Sequence, residues 1–163
     1  MVFDNMFAFF DKDLTVLDFS PFKSVVSIEI GDKSFSYVTT VCIAELPKLE
    51  SVRIGFHSIF RFSDYGMDLT PGYRFSVYNC PSLKELKIGR ESFADYSWFV
   101  VKNLPSLEEM VIGEGGDISM CFSHASLVLK GEGMEHEVKN RLSKTERTHD
   151  WCGLFQELQT SVD

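Results

Sequence analysis

The stretch Leu83–Gly89, Leu-Lys-Glu-Leu-Lys-Ile-Gly, sets a pattern that recurs three more times along the chain. In each copy an apolar residue is followed three places later by a second, two places later by a third, and then by glycine. The other copies are Val25–Gly31, Leu49–Gly55 and Leu107–Gly113. Alternation of apolar and polar residues at the end of each copy is typical of a strand with one buried face. Four copies in one phase predict a repeat architecture.

The glycine gives the period of this pattern. Successive glycines are 24, 34 and 24 positions apart. The longer middle interval predicts an insertion near residues 61–74, a stretch that contains Gly66, Pro71 and Gly72. We expect the repeated glycine where the chain turns and a neighbouring segment passes close, because a residue without Cβ fits there and takes positive φ without strain.

A second pattern lies half a repeat out of phase with the first. Each glycine is followed by a phenylalanine and then by two apolar residues separated by one position. The phenylalanines are Phe35, Phe60, Phe93 and Phe122, and each is expected to point inward from the turn that contains it. The apolar pairs that follow the glycines are Val41 and Ile43, Phe75 and Val77, Phe99 and Val101, and Leu127 and Leu129, and Leu17 and Phe19 form the same pair ahead of the first glycine. We therefore expect two short strands per coil, and coils that stack so that like strands form two parallel sheets around one core.

The first pattern resembles that of leucine-rich repeat proteins. Leu83, Leu86 and Ile88 match the Leu-x-x-Leu-x-Leu core of that family. The form Pro-Ser-Leu-x-x-Leu-x-Ile-Gly is similar to the divergent repeats of gut protists and bacterial surface proteins, and the resemblance covers about Leu14–Lys130. The chain is an irregular member, because the places where the family usually has Asn or Cys hold Asp32, Phe56, Arg90 and Glu114.

The resemblance implies a leucine-rich repeat solenoid that is mainly β, with two short parallel strands per coil and few helices except possible caps. Residues 1–13, which are rich in phenylalanine, are expected to cap the first coil, and residues 14–130 to form four to five coils. The polar segment 131–163 is expected to form a partly helical cap or tail. The repeats also leave open that the chain is a fragment of a longer repeat protein.

Composition narrows the classes of partner. The chain has 24 acidic and 16 basic residues and a formal net charge of −8, so nucleic acid and anionic membrane surfaces are not expected as partners. Met1–Asp13 lacks the basic start and apolar run of a signal peptide, and no stretch reaches the ~20 apolar residues of a membrane span. We therefore expect a cytoplasmic location. The four cysteines are widely spaced, which favours free thiols over a disulfide or zinc framework.

The polar residues between the apolar positions of the first strand are expected to face outward. Because adjacent strands lie about 4.8 Å apart, these side chains form either a solubilising mixed-charge surface or a partner surface. The insertion is a second candidate contact site, unless its aromatic side chains pack on their own coil. The predicted binding residues are Ser51, Arg53, Phe56, His57, Tyr65, Tyr73, Glu85, Lys87, Arg90, Glu109 and Val111.

Signals for catalysis are weak. The histidines share no metal-ligand spacing, and Gly113-Glu-Gly-Gly116 lacks the Lys and Ser or Thr of a phosphate-binding loop. We therefore expect a non-enzymatic protein–protein interaction scaffold with no catalytic residue, metal or cofactor and an unidentified protein as partner. The alternative from another class is a carbohydrate-active enzyme on a parallel β-helix, which would need clustered acids in a groove and usually more coils.

Overall fold

The computed structural model describes residues 1–8, 10–60, 72–114, 121 and 125–130. Every regular element in these ranges is a β-strand, and they contain no helix. The strands are β1 (Val2–Phe3), β2 (Val16–Asp18), β3 (Ser27–Ile30), β4 (Thr40–Ala44), β5 (Ser51–Ile54), β6 (Arg74–Tyr78), β7 (Glu85–Gly89), β8 (Trp98–Lys102), β9 (Glu109–Glu114) and β10 (Ser126–Lys130).

The strands form two five-stranded parallel sheets. Sheet A has the order β1-β3-β5-β7-β9, and sheet B has the order β10-β8-β6-β4-β2. Consecutive strands of the sequence therefore belong to opposite sheets, and each strand pairs with the strand two places along the chain. The prediction of a mainly β protein with two parallel sheets is confirmed. The segment 131–163, residues 61–71 of the insertion and Phe122 lie outside the described residues.

The register joins matching positions of the sequence pattern. In sheet A one inward row is Ile28, Val52, Leu86 and Met110, whose exposed fractions are 7% or less. The next inward row is Ile30, Ile54, Ile88 and Ile112. In sheet B the inward rows are Val41, Phe75 and Phe99, and Ile43, Val77 and Val101. The core lies between the sheets, because these rows belong to a single cluster of buried apolar residues.

The aromatic row in the turn after sheet A differs from the sequence prediction at one position. Phe35 and Phe93 are buried as expected, but the residue buried between them is Ile59 and not Phe60. Phe35, Ile59 and Phe93 share a left-handed backbone, with φ of 58°, 54° and 60°. All three lie four residues after a glycine of the pattern. Phe60 was wrongly assigned because the prediction followed the residue type rather than this distance.

The glycines at the strand ends are required by the close approach of neighbouring backbone. A Cβ on Gly55 would overlap Oδ1 of Asp32 and lie 2.8 Å from the nitrogen of Asp32 and from the carbonyl carbon of Gly31. A Cβ on Gly89 would lie 2.6 Å from the carbonyl carbon of Gly55. Among the four glycines of the pattern, positive φ occurs only at Gly113, at 82°. The expected close approach is therefore present, whereas the expected positive φ is not general.

A row of buried serines lies in the same turn. Ser34, Ser58 and Ser92 each follow a glycine by three positions and are fully buried. The hydroxyl of Ser58 donates to the carbonyl of Gly31 at 2.7 Å and accepts the N–H of Ser34 at 3.3 Å. The hydroxyl of Ser92 donates to the carbonyl of Gly55 at 2.9 Å and accepts the N–H of Ser58 at 3.0 Å. Each of these two hydroxyls therefore satisfies two buried backbone groups.

A polar row also follows the strands of sheet B. Glu45, Asn79 and Asn103 share a left-handed backbone, with φ of 56°, 54° and 47°. The side-chain amide of Asn103 donates to Oδ1 of Asn79 at 2.9 Å, and the amide of Asn79 donates to Oε1 of Glu45. These bonds connect equivalent turns in three successive layers. The turns on both sides of the core are thus linked from one layer to the next.

We expect Gly55→Ala to lower the free energy of unfolding by about 1–3 kcal/mol, because its methyl group would overlap the backbone of Asp32 and Gly31. Urea denaturation followed by circular dichroism measures the change. Ser51→Ala, on the outer face of the same strand, is the control and should change stability by less than about 0.5 kcal/mol. If Gly55→Ala and Ser51→Ala were equally stable, the layers would accommodate a methyl group at position 55 at no cost, and the proposed constraint would be wrong.

We expect Ser58→Ala to cost about 2 kcal/mol or more, because it leaves the N–H of Ser34 and the carbonyl of Gly31 without their buried partner. The control is Ser82→Ala, which removes an exposed bond of 2.7 Å to the carbonyl of Pro47 that water can replace. The same denaturation measurement compares them. A Ser58→Ala loss no larger than that of Ser82→Ala would contradict the bridging role of the serine row.

Candidate functional site

The outer face of sheet A displays the polar residues that lie between the buried rows. β3 contributes Ser27 and Glu29, and the register continues their rows through β5, β7 and β9. Six of the predicted binding residues come together on this face, namely Ser51, Arg53, Glu85, Lys87, Glu109 and Val111. We call this surface the charged face.

Ion pairs connect neighbouring strands on the charged face. Nε of Arg53 lies 2.7 Å from Oε1 of Glu85, and Nζ of Lys87 lies 3.4 Å from Oε2 of Glu85 and 3.1 Å from Oε2 of Glu109. The carboxylates of Glu109 and, less strongly, Glu85 raise the pKa of Lys87, so its ammonium stays charged at all physiological pH values. The Arg53 side chain is 58% exposed, against 20% for Lys87. Arg53 is therefore the cation of this network that is more accessible to a partner.

An open groove of about 600 Å³ lies beside the ion pairs. Its polar lining consists of Asp4, Asn5, Glu29, Asp32, Arg53 and Lys87. Oδ1 of Asn5 accepts the N–H of Asp32 at 2.8 Å, and Oδ1 of Asp32 accepts the N–H of Phe56 at 2.8 Å. These two bonds run from layer to layer and hold one wall of the groove in place.

The turns that follow β5 and β7 form an aromatic corner next to the groove. Cζ of Arg90 lies 4.8 Å from the centre of the Phe56 ring. Nδ1 of His57 lies 3.1 Å from Oε2 of Glu91, and the His57 ring packs against Phe60 with centroids 4.4 Å apart. All five residues are half-buried. An arginine stacked on an aromatic ring is a common anchor of protein interfaces.

Sequence reasoning placed Phe56, His57 and Arg90 at the margin of the charged face but did not include Phe60 and Glu91. The signal for Glu91 was available, because His57 and Glu91 both lie two residues after a glycine of the pattern. Both also share a left-handed backbone, with φ of 52° and 59°. Equivalent turn positions in adjacent layers are neighbours, which is why these two side chains meet.

Carboxylates outnumber cations on the charged face and in the groove. Arg53 and Lys87 are the basic side chains on this surface in the described part of the chain. The acidic side chains are Asp4, Glu29, Asp32, Glu85 and Glu109. The terminal ammonium of Met1, which donates to the carbonyl of Ser27 at 2.7 Å, is a third cation near this surface. The carboxylates still exceed the cations by two.

The two predicted tyrosines of the insertion do not join this surface. Tyr65 lies outside the described residues. Tyr73 is 7% exposed, and its ring packs against Tyr96 with centroids 5.9 Å apart. Tyr73 alternates with the inward residues Phe75 and Val77 of β6, so its side chain points into the core. We therefore leave Tyr73 out of the surface offered to a partner.

The described residues offer few groups suited to catalysis. They contain no cluster of three or more His, Cys, Asp or Glu that could bind a metal ion. The described residues also contain no helix that is long and apolar enough to span a membrane. Cys42 and Cys80 are free thiols. Burial raises the pKa of Cys42 and of Cys80, so both are protonated and weakly nucleophilic at neutral pH.

Comparisons with known proteins identify no relative, since no protein-family model, no curated protein and no solved structure matches the chain.

We expect Cys42 and Cys80 to react with iodoacetamide more slowly than a free thiol at pH 8, because burial keeps them protonated. Their rates should keep rising with pH above the usual thiol pKa of 9.0. Mass spectrometry of tryptic peptides gives the rate for each cysteine, and the urea-unfolded chain is the control. Folded-state rates equal to the unfolded ones would contradict the burial of these thiols.

Proposed function

We propose that the chain is a non-enzymatic protein–protein interaction scaffold, built as an irregular leucine-rich repeat solenoid, whose partner binds the charged face of sheet A. The observation that supports this most directly is the register of β3, β5, β7 and β9. It aligns equivalent outward positions of the sequence pattern into one continuous surface. Stacked coils of a solenoid would have this arrangement, and solenoids use such extended surfaces to bind partners.

The aromatic corner supplies the anchor for such a partner. Phe56, His57 and Arg90 are half-buried, so their rings and guanidinium are held in place yet remain accessible. In typical interfaces a few residues, often Arg or aromatic ones, contribute most of the binding free energy that is lost on substitution by alanine. Arg53 is exposed on the charged face, so it adds a second accessible guanidinium on the same side of the sheet.

The charge of the surface indicates the chemistry of the partner. The excess of carboxylates around Glu29 and Glu109 repels acidic surfaces and attracts basic ones. The whole chain has the same sign, with a net charge of −8. The proposed partner is therefore a protein whose contact surface carries Lys and Arg, and association should weaken as ionic strength rises.

The proposal predicts that a photo-crosslinking amino acid at Ser51, in the centre of the charged face, captures a protein partner from cell extract. The matched control places it at Thr40, in the outer face of sheet B, and should capture little. Reversal of two acids of the charged face, Glu29→Lys with Glu109→Lys, should remove the Ser51 adduct. It should lower the melting temperature only slightly, because the Glu109–Lys87 ion pair that it breaks is partly exposed and such pairs contribute little to stability. Gel electrophoresis and mass spectrometry read out the adducts.

Two results would contradict the proposal. One is equal capture from Ser51 and Thr40, and the other is an adduct that survives the double charge reversal. Turnover of acidic or neutral polysaccharides by the purified chain would instead favour the alternative of a carbohydrate-active enzyme, which would use the carboxylates of the groove. An assay with the Glu29→Lys and Glu109→Lys chain tests whether any such turnover depends on this face.

A further inference from the structure

Exposed apolar surface is concentrated at one end of the two sheets. Of the nine large apolar side chains that are exposed in the described part of the chain, seven lie between Met1 and Phe22. They are Met1, Val2, Met6, Phe7, Phe10, Val16 and Phe22, with exposed fractions between 37% and 77%. This segment forms the outermost layer, because β1 is the edge of sheet A and β2 is the edge of sheet B.

Some backbone N–H and carbonyl groups of β1 and β2 point away from the neighbouring strand of their own sheet. The carbonyls of Met1 and Phe3 accept the N–H groups of Glu29 and Gly31 in β3 and its turn. Bonding groups alternate along a strand, so the N–H and carbonyl of Val2 point toward the open edge. By the same rule the groups of Val16 and Asp18 point away from β4, because the carbonyl of Thr15 and the N–H of Phe19 face it. Two edges, about 10 Å apart, therefore face one direction.

We propose that this end of the molecule binds the same end of a second copy of the chain across a twofold axis. A single extended peptide would cover one edge and leave the other open. A partner that covers the edges of both β1 and β2 must itself present two edge strands at the same spacing, with apolar side chains between them. The identical end of a second copy meets this requirement. With the axis perpendicular to the strands, β1 pairs antiparallel with its copy and β2 pairs antiparallel with its copy.

The area available at this end is sufficient for a stable contact. At about 150–250 Å² per fully exposed aromatic side chain, the exposed fractions of Phe7, Phe10 and Phe22 alone correspond to on the order of 300–400 Å² per subunit, and Met1, Val2, Met6 and Val16 add to this area. A standard stable interface buries about 800 Å² per partner, and backbone contacts at the two edges add to the side-chain area. For comparison, the largest apolar patch on a typical monomer is about 300–600 Å².

The charges at this end distinguish such a dimer from the partner of the charged face. Asp4, Asp11, Asp13 and Asp18 lie in the outermost layer, and the cations near them are Lys12, the terminal ammonium and Lys23, which lies close to Asp18. Two copies of this end repel one another electrostatically, so added salt should strengthen the dimer by screening the repulsion. Binding of a basic partner to the charged face should respond to salt in the opposite sense.

Sedimentation equilibrium of the full chain across the micromolar range tests the proposal. The expected result is a mass of two chains, with a dimer dissociation constant that falls as salt is added. The double variant Val2→Lys and Val16→Lys places like charges opposite one another across the axis, and it should raise the dimer dissociation constant by at least about 100-fold. The control is Val26→Lys with Trp98→Lys, because in the described part of the chain these are the two large exposed apolar residues that lie outside Met1–Phe22. This control should remain dimeric.

Hydrogen exchange of the unmodified chain gives a second readout that does not depend on the variants folding. The amides of Val16 and Asp18 should exchange more slowly as the chain concentration rises, since they become paired in the dimer. A chain that stays monomeric across the range, or a dimer unaffected by Val2→Lys and Val16→Lys, would overturn the proposal. Growth into open polymers would overturn it as well, because a twofold contact closes at two copies.

Discussion

The close approach of successive backbone layers at Gly31, Gly55 and Gly89 is the constraint on which the rest of this structure depends. A side chain at these positions would overlap the backbone of the preceding layer. The turn that follows must then satisfy buried N–H and carbonyl groups without help from water, and the hydroxyls of Ser58 and Ser92 do so between layers. Packing and hydrogen bonding at one corner thus fix how each layer sits on the next, and with it the register of both sheets.

Once the register is fixed, the outward residues follow from it. Ion pairs on the charged face connect residues that are distant in sequence, such as Arg53 and Glu85, because the layers place them side by side. The pairing of His57 with Glu91 and the stacking of Arg90 on Phe56 arise in the same way at the next corner. The inward rows and the strand-end glycines determine the fold. The outward rows are free of that requirement, so recognition can be set there without altering the core.

The sequence was sufficient to predict the two parallel sheets and the inward rows, because burial of one face imposes a strict alternation. It was less informative about the turns. Phe60 was placed in the row that Ile59 occupies, since both are apolar and only the distance from Gly55 separates them. The serine row was missed although a serine follows Gly31, Gly55 and Gly89 at the same distance, because a small polar residue gives no signal of burial until its partners are known. Tyr73 was predicted on the surface, although its alternation with Phe75 and Val77 already indicated the core.

The same constraint that joins the inner layers also explains why the outermost layer differs from them. Every interior strand has both rows of backbone groups paired and both sides of its apolar row covered, whereas β1 and β2 have a neighbour on one side only. Phe3 packs against Phe35 on that side, with ring centroids 5.2 Å apart, but Phe7 remains 48% exposed. A structure in which each layer is stabilised by its neighbours retains an unsatisfied surface wherever the layering stops. The proposed recognition through the charged face and the proposed association through this end therefore have separate physical origins, one in the outward residues and one in the layering itself.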